Sequence, residues 1–328
     1  MTLRTADGAV RRSGRRRTRT ALLAGAGTLV ALAVALYGAR VAAHGTGELR
    51  IPAPGATTFL RAVVFAALAV HLGELACARL VGEGPRPRPW AVWAALGGAA
   101  ASAGQIVVLA AVSDLDLTAA YGTREGGLLL LMANGFALAA ACAASGRVRA
   151  RPLWALAPLA LVTGAEALRA HPEPYTPELG TALTVVHLTA GSLWVGGLLY
   201  VLRVAHLRGG GVRGAREALT RYARLAGWLY AALATTGTCS TLRRLPADVV
   251  LSSAYGRVLI AKLALVAVAS ALALTARRRM LRRRARHAGD ATGPARAELA
   301  VLAGVVVVSA LLTVVPDPHW ISTRLTLQ

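Results

Sequence analysis

Residues 187–197, HLTAGSLWVGG, lie inside an apolar segment at about residues 181–203. A neutral imidazole carries one hydrogen-bond donor and one acceptor, and both are costly in an apolar environment unless they find partners. Gly191 and Trp194 follow His187 by one and two helical turns, with Gly196 and Gly197 close by. Because small residues let helices pack closely in membranes, we predict that the His187 ring faces the interior of a helix bundle. There it either hydrogen-bonds a neighbour or binds a ligand.

The composition of the whole chain indicates an integral membrane protein. Over 328 residues, 55% are hydrophobic, 16% are charged, and the mean hydropathy is +0.53, which excludes a water-soluble domain. A helix needs about 20 apolar residues to cross the bilayer. The sequence predicts an all-α, polytopic membrane bundle with about nine transmembrane helices, at about residues 21–43, 58–80, 90–112, 127–145, 153–170, 181–203, 225–241, 256–276 and 297–315.

The first of these segments has a second interpretation. Basic residues precede it, as in a cleaved signal peptide. Its length and the weak cleavage site near His44 favour an uncleaved helix.

The basic residues predict the orientation in the lipid bilayer. If the N-terminus is inside and the C-terminus outside, 27 of the 37 Lys and Arg residues fall in inside segments. This bias is typical of the cytoplasmic side of the cell membrane. The net charge of +22 is then a topology signal and not a nucleic-acid-binding surface, because the basic residues do not share one face of a folded domain.

Polar side chains inside the segments are predicted to form a layer near the outer side. Ionisable groups in a membrane usually face a partner or a cavity. The layer comprises Gln105, Glu166, His187 and Lys262, which is the only lysine of the chain. Lys262 either pairs with Glu166 and neutralises it or acts directly in transport. Further toward the cytoplasm, His71 and Glu74 are three residues apart on one helical face.

Soft metal ligands are few and widely spaced. Cysteine, methionine and histidine side chains suit copper. Met132 and Cys239 are predicted near the outer side, Cys77 and Cys142 near the inner one, and His44, His171 and His319 at outer helix ends. Taken singly, the cysteines are also explained as small buried hydrophobic residues with free thiols, and the three histidines as interfacial residues.

Three segments in the second half resemble the copper resistance D (CopD) family. VVHLTAGSLWVGGLLYVL (185–202) is similar to its His-x5-6-Trp-x-Gly-Gly helix, AYGRVLIAKLALVAVASALALTARR (254–278) to its Tyr-Gly-x-x-Leu-x-x-Lys helix, and AELAVLAGVVVVSALLTVVPDP (297–318) to its closing Glu-led helix. The residues that carry the resemblance are His187, Trp194, Gly196, Gly197, Tyr255, Gly256, Lys262 and Glu298. It divides the chain into residues 1–175, with five spans, and a CopD-like domain at 180–318, with four.

The resemblance implies a protein of the cytoplasmic membrane for copper uptake, copper resistance or copper homeostasis, and not an enzyme. Copper would be the transported or sensed ion, received at His187. The sequence departs from the fuller members of the family in having no fused periplasmic copper-binding domain and no Met/His-rich loop. An extracytoplasmic copper-binding protein is a candidate partner. The alternative is a b-type cytochrome with His187 and His71 as haem ligands, although their predicted depths differ by roughly 10 Å.

Overall fold

A computed structural model describes residues 25–48, 51–81, 84–145, 153–170, 176–208, 212–281, 289–316 and 318. These residues form ten α-helices and one 3-10 turn at Ala247–Val249. The helices are α1 (Gly25–Ala43), α2 (Pro54–Leu80), α3 (Ala91–Ser113), α4 (Leu117–Gly122), α5 (Arg124–Ala144), α6 (Leu153–Ala170), α7 (Pro177–Leu207), α8 (Val212–Arg244), α9 (Ala254–Leu281) and α10 (Gly289–Leu312).

The fold is a helical membrane bundle, as the composition predicts. Within the described residues, seven helices are long and apolar enough to cross a membrane, namely α1, α2, α3, α5, α7, α9 and α10. The helices α6 and α8 also lie where the sequence predicts spans, but they are not among these seven. Nine crossings and their orientation therefore stay predictions.

Successive long helices run in opposite directions through the bundle. One end contains His44, the start of α2 and α7, and the last residues of α6 and α10; we call it the His44 end. Arg257 closes this end by donating to the carbonyls of Ala42 and His44, at 3.2 and 2.8 Å. The opposite end, the Leu80 end, contains the last residues of α2, α5 and α7. There Arg208 and Arg221 donate to the carbonyls that end α2, where the helix dipole favours positive charge.

The helices α2 and α7 cross at two glycines near the centre of the bundle. A Cβ atom on Gly196 would overlap the carbonyl oxygen of Ala69, and one on Gly73 would overlap the backbone of Gly196. The two backbones are therefore in direct contact, as the glycine-rich sequence predicts. This crossing holds α7 firmly against α2 and sets the position of the side chains that α7 presents to α8.

Three hydrophobic cores stabilise the bundle. The first is built mainly by α2, α3, α5 and α6. The second is built mainly by α7 and α8, together with Cys77 of α2. The third joins α1 to α9 and α10 in one cluster that includes Ala39, Leu259 and Leu311, and Gly38 of α1 lies against the Leu311 side chain. The first helix thus packs against the last two, and the division into domains 1–175 and 180–318 stays a prediction.

Candidate ion-binding site

His187 lies between α7 and α8, where it has one clear partner. Its Nδ1 atom is 2.9 Å from the hydroxyl oxygen of Thr236. That hydroxyl donates its single hydrogen to the carbonyl of Ala232, one turn earlier in α8, at 2.7 Å. In the arrangement where the hydroxyl keeps this bond, Thr236 accepts from the ring and Nδ1 carries the imidazole hydrogen. The Nε2 atom is left with its lone pair, which is the form of histidine that binds metal ions.

A glycine leaves room beside this imidazole. A Cβ atom on Gly237 would be 3.5 Å from Cε1 of His187, an ordinary van der Waals contact. The ring is half-buried and not sealed in the core. Its orientation toward a neighbouring helix agrees with the prediction from the glycine spacing on α7.

Lys262 on α9 does not pair with Glu166, contrary to one of the two sequence-based alternatives. Glu166 forms an ion pair with Arg169, at 2.9 Å and one turn away on the same helix. The helix α6 packs against α5 and α7, whereas α9 packs against α10 and α8, so the two side chains are on different parts of the bundle. Among the described residues, no hydrogen bond or ion pair holds the Lys262 ammonium group.

Arg169, whose side chain is buried, is the centre of a polar cluster at the His44 end. Its guanidinium donates to Glu166 at 3.0 Å, to Gln105 at 2.9 Å and to Glu125 at 3.2 Å, and so connects α6 to α3 and α5. Nearby, the buried Arg61 of α2 donates to a backbone carbonyl of residue 313 at 2.6 Å. Gln105 and Glu166 were predicted in the polar layer, but the arginines and Glu125 were not. The one signal in the sequence is the spacing of three residues between Glu166 and Arg169.

Trp194 connects three helices below His187. Its indole Nε1 donates to a carboxylate oxygen of Glu298 on α10 at 3.1 Å, and its carbonyl accepts from the Tyr222 hydroxyl of α8 at 2.5 Å. The Tyr230 ring meets the Trp194 ring edge-on, with 5.9 Å between centroids. Glu298 is 4% exposed, and its Oε2 atom has no hydrogen-bond partner among the described residues. The same region contains the buried thiol of Cys77, because Gly197 leaves space for it.

Glu74 and His71 have separate environments, although both lie on one predicted face of α2. The Glu74 carboxylate accepts from the backbone N–H groups of Trp90 and Ala91, both at 2.9 Å, and so caps the N-terminus of α3. Arg203 donates to the same carboxylate at 2.5 Å and stacks over the Trp90 ring at 3.8 Å. His71 is 1% exposed, and its Nδ1 atom has no hydrogen-bond partner in the described part of the chain. The geometry gives Glu74 a structural role.

The predicted soft ligands do not gather around His187 in the described part of the chain. Met132 is fully buried in the core of α2, α3, α5 and α6, while Cys239 and His44 are exposed. His171 and His319 lie outside the described residues. Among the residues that the structure describes, no group of three or more His, Cys, Asp or Glu side chains could hold a metal ion. His187 is thus a single accessible imidazole and not part of a preassembled metal centre.

Residues 216–315 match the family model described as Copper resistance protein D. This part of the chain is similar to the CopD family. The predicted resemblance is confirmed over this range, which covers most of α8 and all of α9 and α10 and begins after His187 and Trp194. With the seven apolar helices, the CopD match indicates a multi-pass membrane protein related to copper resistance or copper transport. No curated protein and no solved structure matches the chain.

Two residues of the CopD-like Tyr-Gly motif begin α9. Gly256 donates its backbone N–H to the hydroxyl oxygen of Ser253 at 3.1 Å, which caps the helix. A Cβ atom on Gly256 would overlap the carbonyl oxygen of Val250, so only glycine fits there. The preceding Tyr255 packs in the core that α9 shares with α1 and α10. Packing therefore explains Tyr255 and Gly256 of the motif. It does not explain why a lysine stands at Lys262 or a glutamate at Glu298.

Proposed function

We propose that the chain carries copper ions inward across the cytoplasmic membrane and that His187 is the first ligand the ion meets inside the bundle. The observation that carries this proposal is the His187–Thr236 hydrogen bond, because it holds the ring in place and leaves Nε2 free to coordinate. The CopD match of the adjoining helices supports copper as the ion. Imidazole is a suitable ligand for copper.

In this proposal the chain crosses the membrane nine times, with the His44 end outside. The excess of basic residues in the segments of the opposite end supports this orientation. His187 is ten residues from Pro177, the first residue of α7, and so lies about 15 Å into the bundle from the outer end. An ion from outside reaches it before it reaches Trp194 or Glu298.

The ion then passes along the contact between α7, α8 and α10. The unpartnered Oε2 atom of Glu298 and the thiol of Cys77 are the next groups there that could coordinate a cation. His71 on α2 is a further buried imidazole in the interior. Because the described residues form no cluster of three or more His, Cys, Asp or Glu side chains, each of these groups holds the ion with few ligands and can release it. The membrane potential favours inward movement by about 2.3 kcal/mol per charge and 100 mV.

A positive charge on Lys262 opposes the binding of a cation at His187. We propose that Lys262 keeps the site from holding the ion too tightly, so that transport and not storage results. His44 is exposed at the proposed outer end, where an extracytoplasmic copper-binding protein would deliver the ion, and His171 and His319 are further candidates there.

Cellular copper content tests the substrate and the direction together. Cells that express the chain should accumulate more copper than cells without it, and His187→Gln should remove the excess at an unchanged membrane level. The matched control is His206→Gln, the same change on the same helix at an exposed position of the Leu80 end. A lower copper content on expression would indicate export and contradict the proposal.

An absorbance spectrum of the purified protein tests the cytochrome alternative. A haem held by two histidines gives an intense Soret band, whereas a protein that carries copper alone does not. We expect no Soret band after purification from cells supplied with haem. A band that disappears in His187→Gln would instead show that this histidine holds haem.

A further inference from the structure

Asn134 stands out on α5 because it is the only asparagine among the 328 residues. It lies ten residues from each end of the helix Arg124–Ala144, which is one of the seven helices apolar enough to cross a membrane. Its side chain is exposed on the outside of the bundle. A polar amide therefore faces the middle of the hydrocarbon layer of the bilayer.

The amide is only partly satisfied by its own helix. Nδ2 donates to the carbonyl of Leu130 at 2.9 Å, one turn earlier. The second N–H hydrogen and the Oδ1 oxygen have no partner among the described residues. Lipid chains offer neither donors nor acceptors, so these groups remain unpaired as long as the helix faces lipid. Serine and threonine avoid this cost by bonding their own helix completely, but asparagine does not.

The helix surface around Asn134 would allow another helix to approach. Ala137 and Ala141 are exposed and follow Asn134 at three and seven residues, on the same face. Leu130 and Leu138 flank them and are 42% and 55% exposed. The other side of α5 is packed against α3 and α6, so this face is not needed inside the bundle.

We propose that this face of α5 is a self-association surface, in which Asn134 pairs with Asn134 of a second copy. An amide is self-complementary, since it donates and accepts, so two copies related by a two-fold axis satisfy each other. Copies inserted in one orientation have that axis along the membrane normal. Residue 134 then lies at the same depth in both chains. A second copy therefore always presents a matching amide at the depth of the first. This inference does not depend on the proposed transport of copper.

Fluorescence energy transfer between donor- and acceptor-labelled copies of the full chain in phosphatidylcholine–phosphatidylglycerol liposomes measures the association. We expect transfer that falls on dilution with lipid, and a roughly tenfold weaker association for Asn134→Leu. Asn134→Gln should keep most of it because the amide remains. The control is Thr235→Leu, an exposed polar residue of α8, which should associate like the parent.

Cross-linking tests the geometry without removing the amide. In a chain whose three native cysteines are replaced by serine, Ala137→Cys should be joined to its counterpart by a short bis-maleimide, whereas Ala267→Cys on the exposed side of α9 should not. A monomeric parent chain would overturn the proposal. Association that Asn134→Leu leaves unchanged would also overturn it, as would cross-linking in cells only to a different membrane protein.

Discussion

The ring of His187 and the hydroxyl of Thr236 are joined by a 2.9 Å hydrogen bond that connects α7 to α8. Because the hydroxyl hydrogen is used within α8, this bond determines which ring nitrogen is free. The bond also connects the region that matches CopD, which contains Thr236, to His187, which lies before that region.

Replacement of Thr236 by valine should impair copper handling while the fold is kept. Valine has the same branched shape but cannot accept the Nδ1–H, so the ring loses its orientation. Loss of such a partner typically weakens metal affinity by about 10- to 100-fold. We expect copper accumulation to fall at an unchanged membrane level, and Thr236→Ser to retain most of it. Equal accumulation by the valine variant would show that the hydrogen bond is only structural.

The contact between α2 and α7 should not tolerate a methyl group. Gly196→Ala places a Cβ atom on the Ala69 carbonyl, so the helices must separate, and the stability should fall by at least about 1–3 kcal/mol. Thermal unfolding in detergent measures the change. Gly227→Ala on α8 is the matched control, because no atom of the described residues lies within 4 Å of its added Cβ. It should be neutral or slightly stabilising.

Arg169 should be more important for stability than Lys262. Arg169→Met leaves the buried Glu166 carboxylate without its ion-pair partner, which typically costs about 3–5 kcal/mol. Adding Glu166→Gln should restore part of the folded yield, measured by size-exclusion chromatography, because the stranded charge is removed. Adding Glu166→Gln to Lys262→Met should not raise the folded yield. Recovery there would indicate that Lys262 and Glu166 do interact.

Cysteine labelling tests the orientation of the bundle. Ser252→Cys precedes α9 at the His44 end and Ser145→Cys follows α5 at the Leu80 end, and both positions are exposed. In intact cells, a membrane-impermeant maleimide should label the first and not the second, provided that the native cysteines are replaced by serine. After the membrane is permeabilised, both should react. The reverse pattern would place the His44 end in the cytoplasm and make the proposed direction of copper movement wrong.

Several features of the bundle could be predicted from the sequence because they are local properties of a helix. Apolar runs of about 20 residues located the seven helices that are long and apolar enough to cross a membrane among the described residues. Glycine spacing on α7 indicated close packing with an inward-facing His187. Ordered motifs also identified the CopD region. Each of these features depends on residues within a few turns of one another, and so it can be seen without knowing which helices are neighbours.

Only the tertiary structure decided which polar groups meet. The hydropathy pattern placed Glu166 and Lys262 at one depth and suggested a pair, but α6 and α9 are not neighbours, and Arg169 takes the carboxylate instead. In the same way, Met132 and Cys239 have suitable side chains, yet one is buried in another core and the other faces outward. Depth in a membrane is set by position along one helix, whereas contact is set by how helices pack around each other. In this bundle that packing includes direct backbone contacts, such as the one between Gly73 and Gly196.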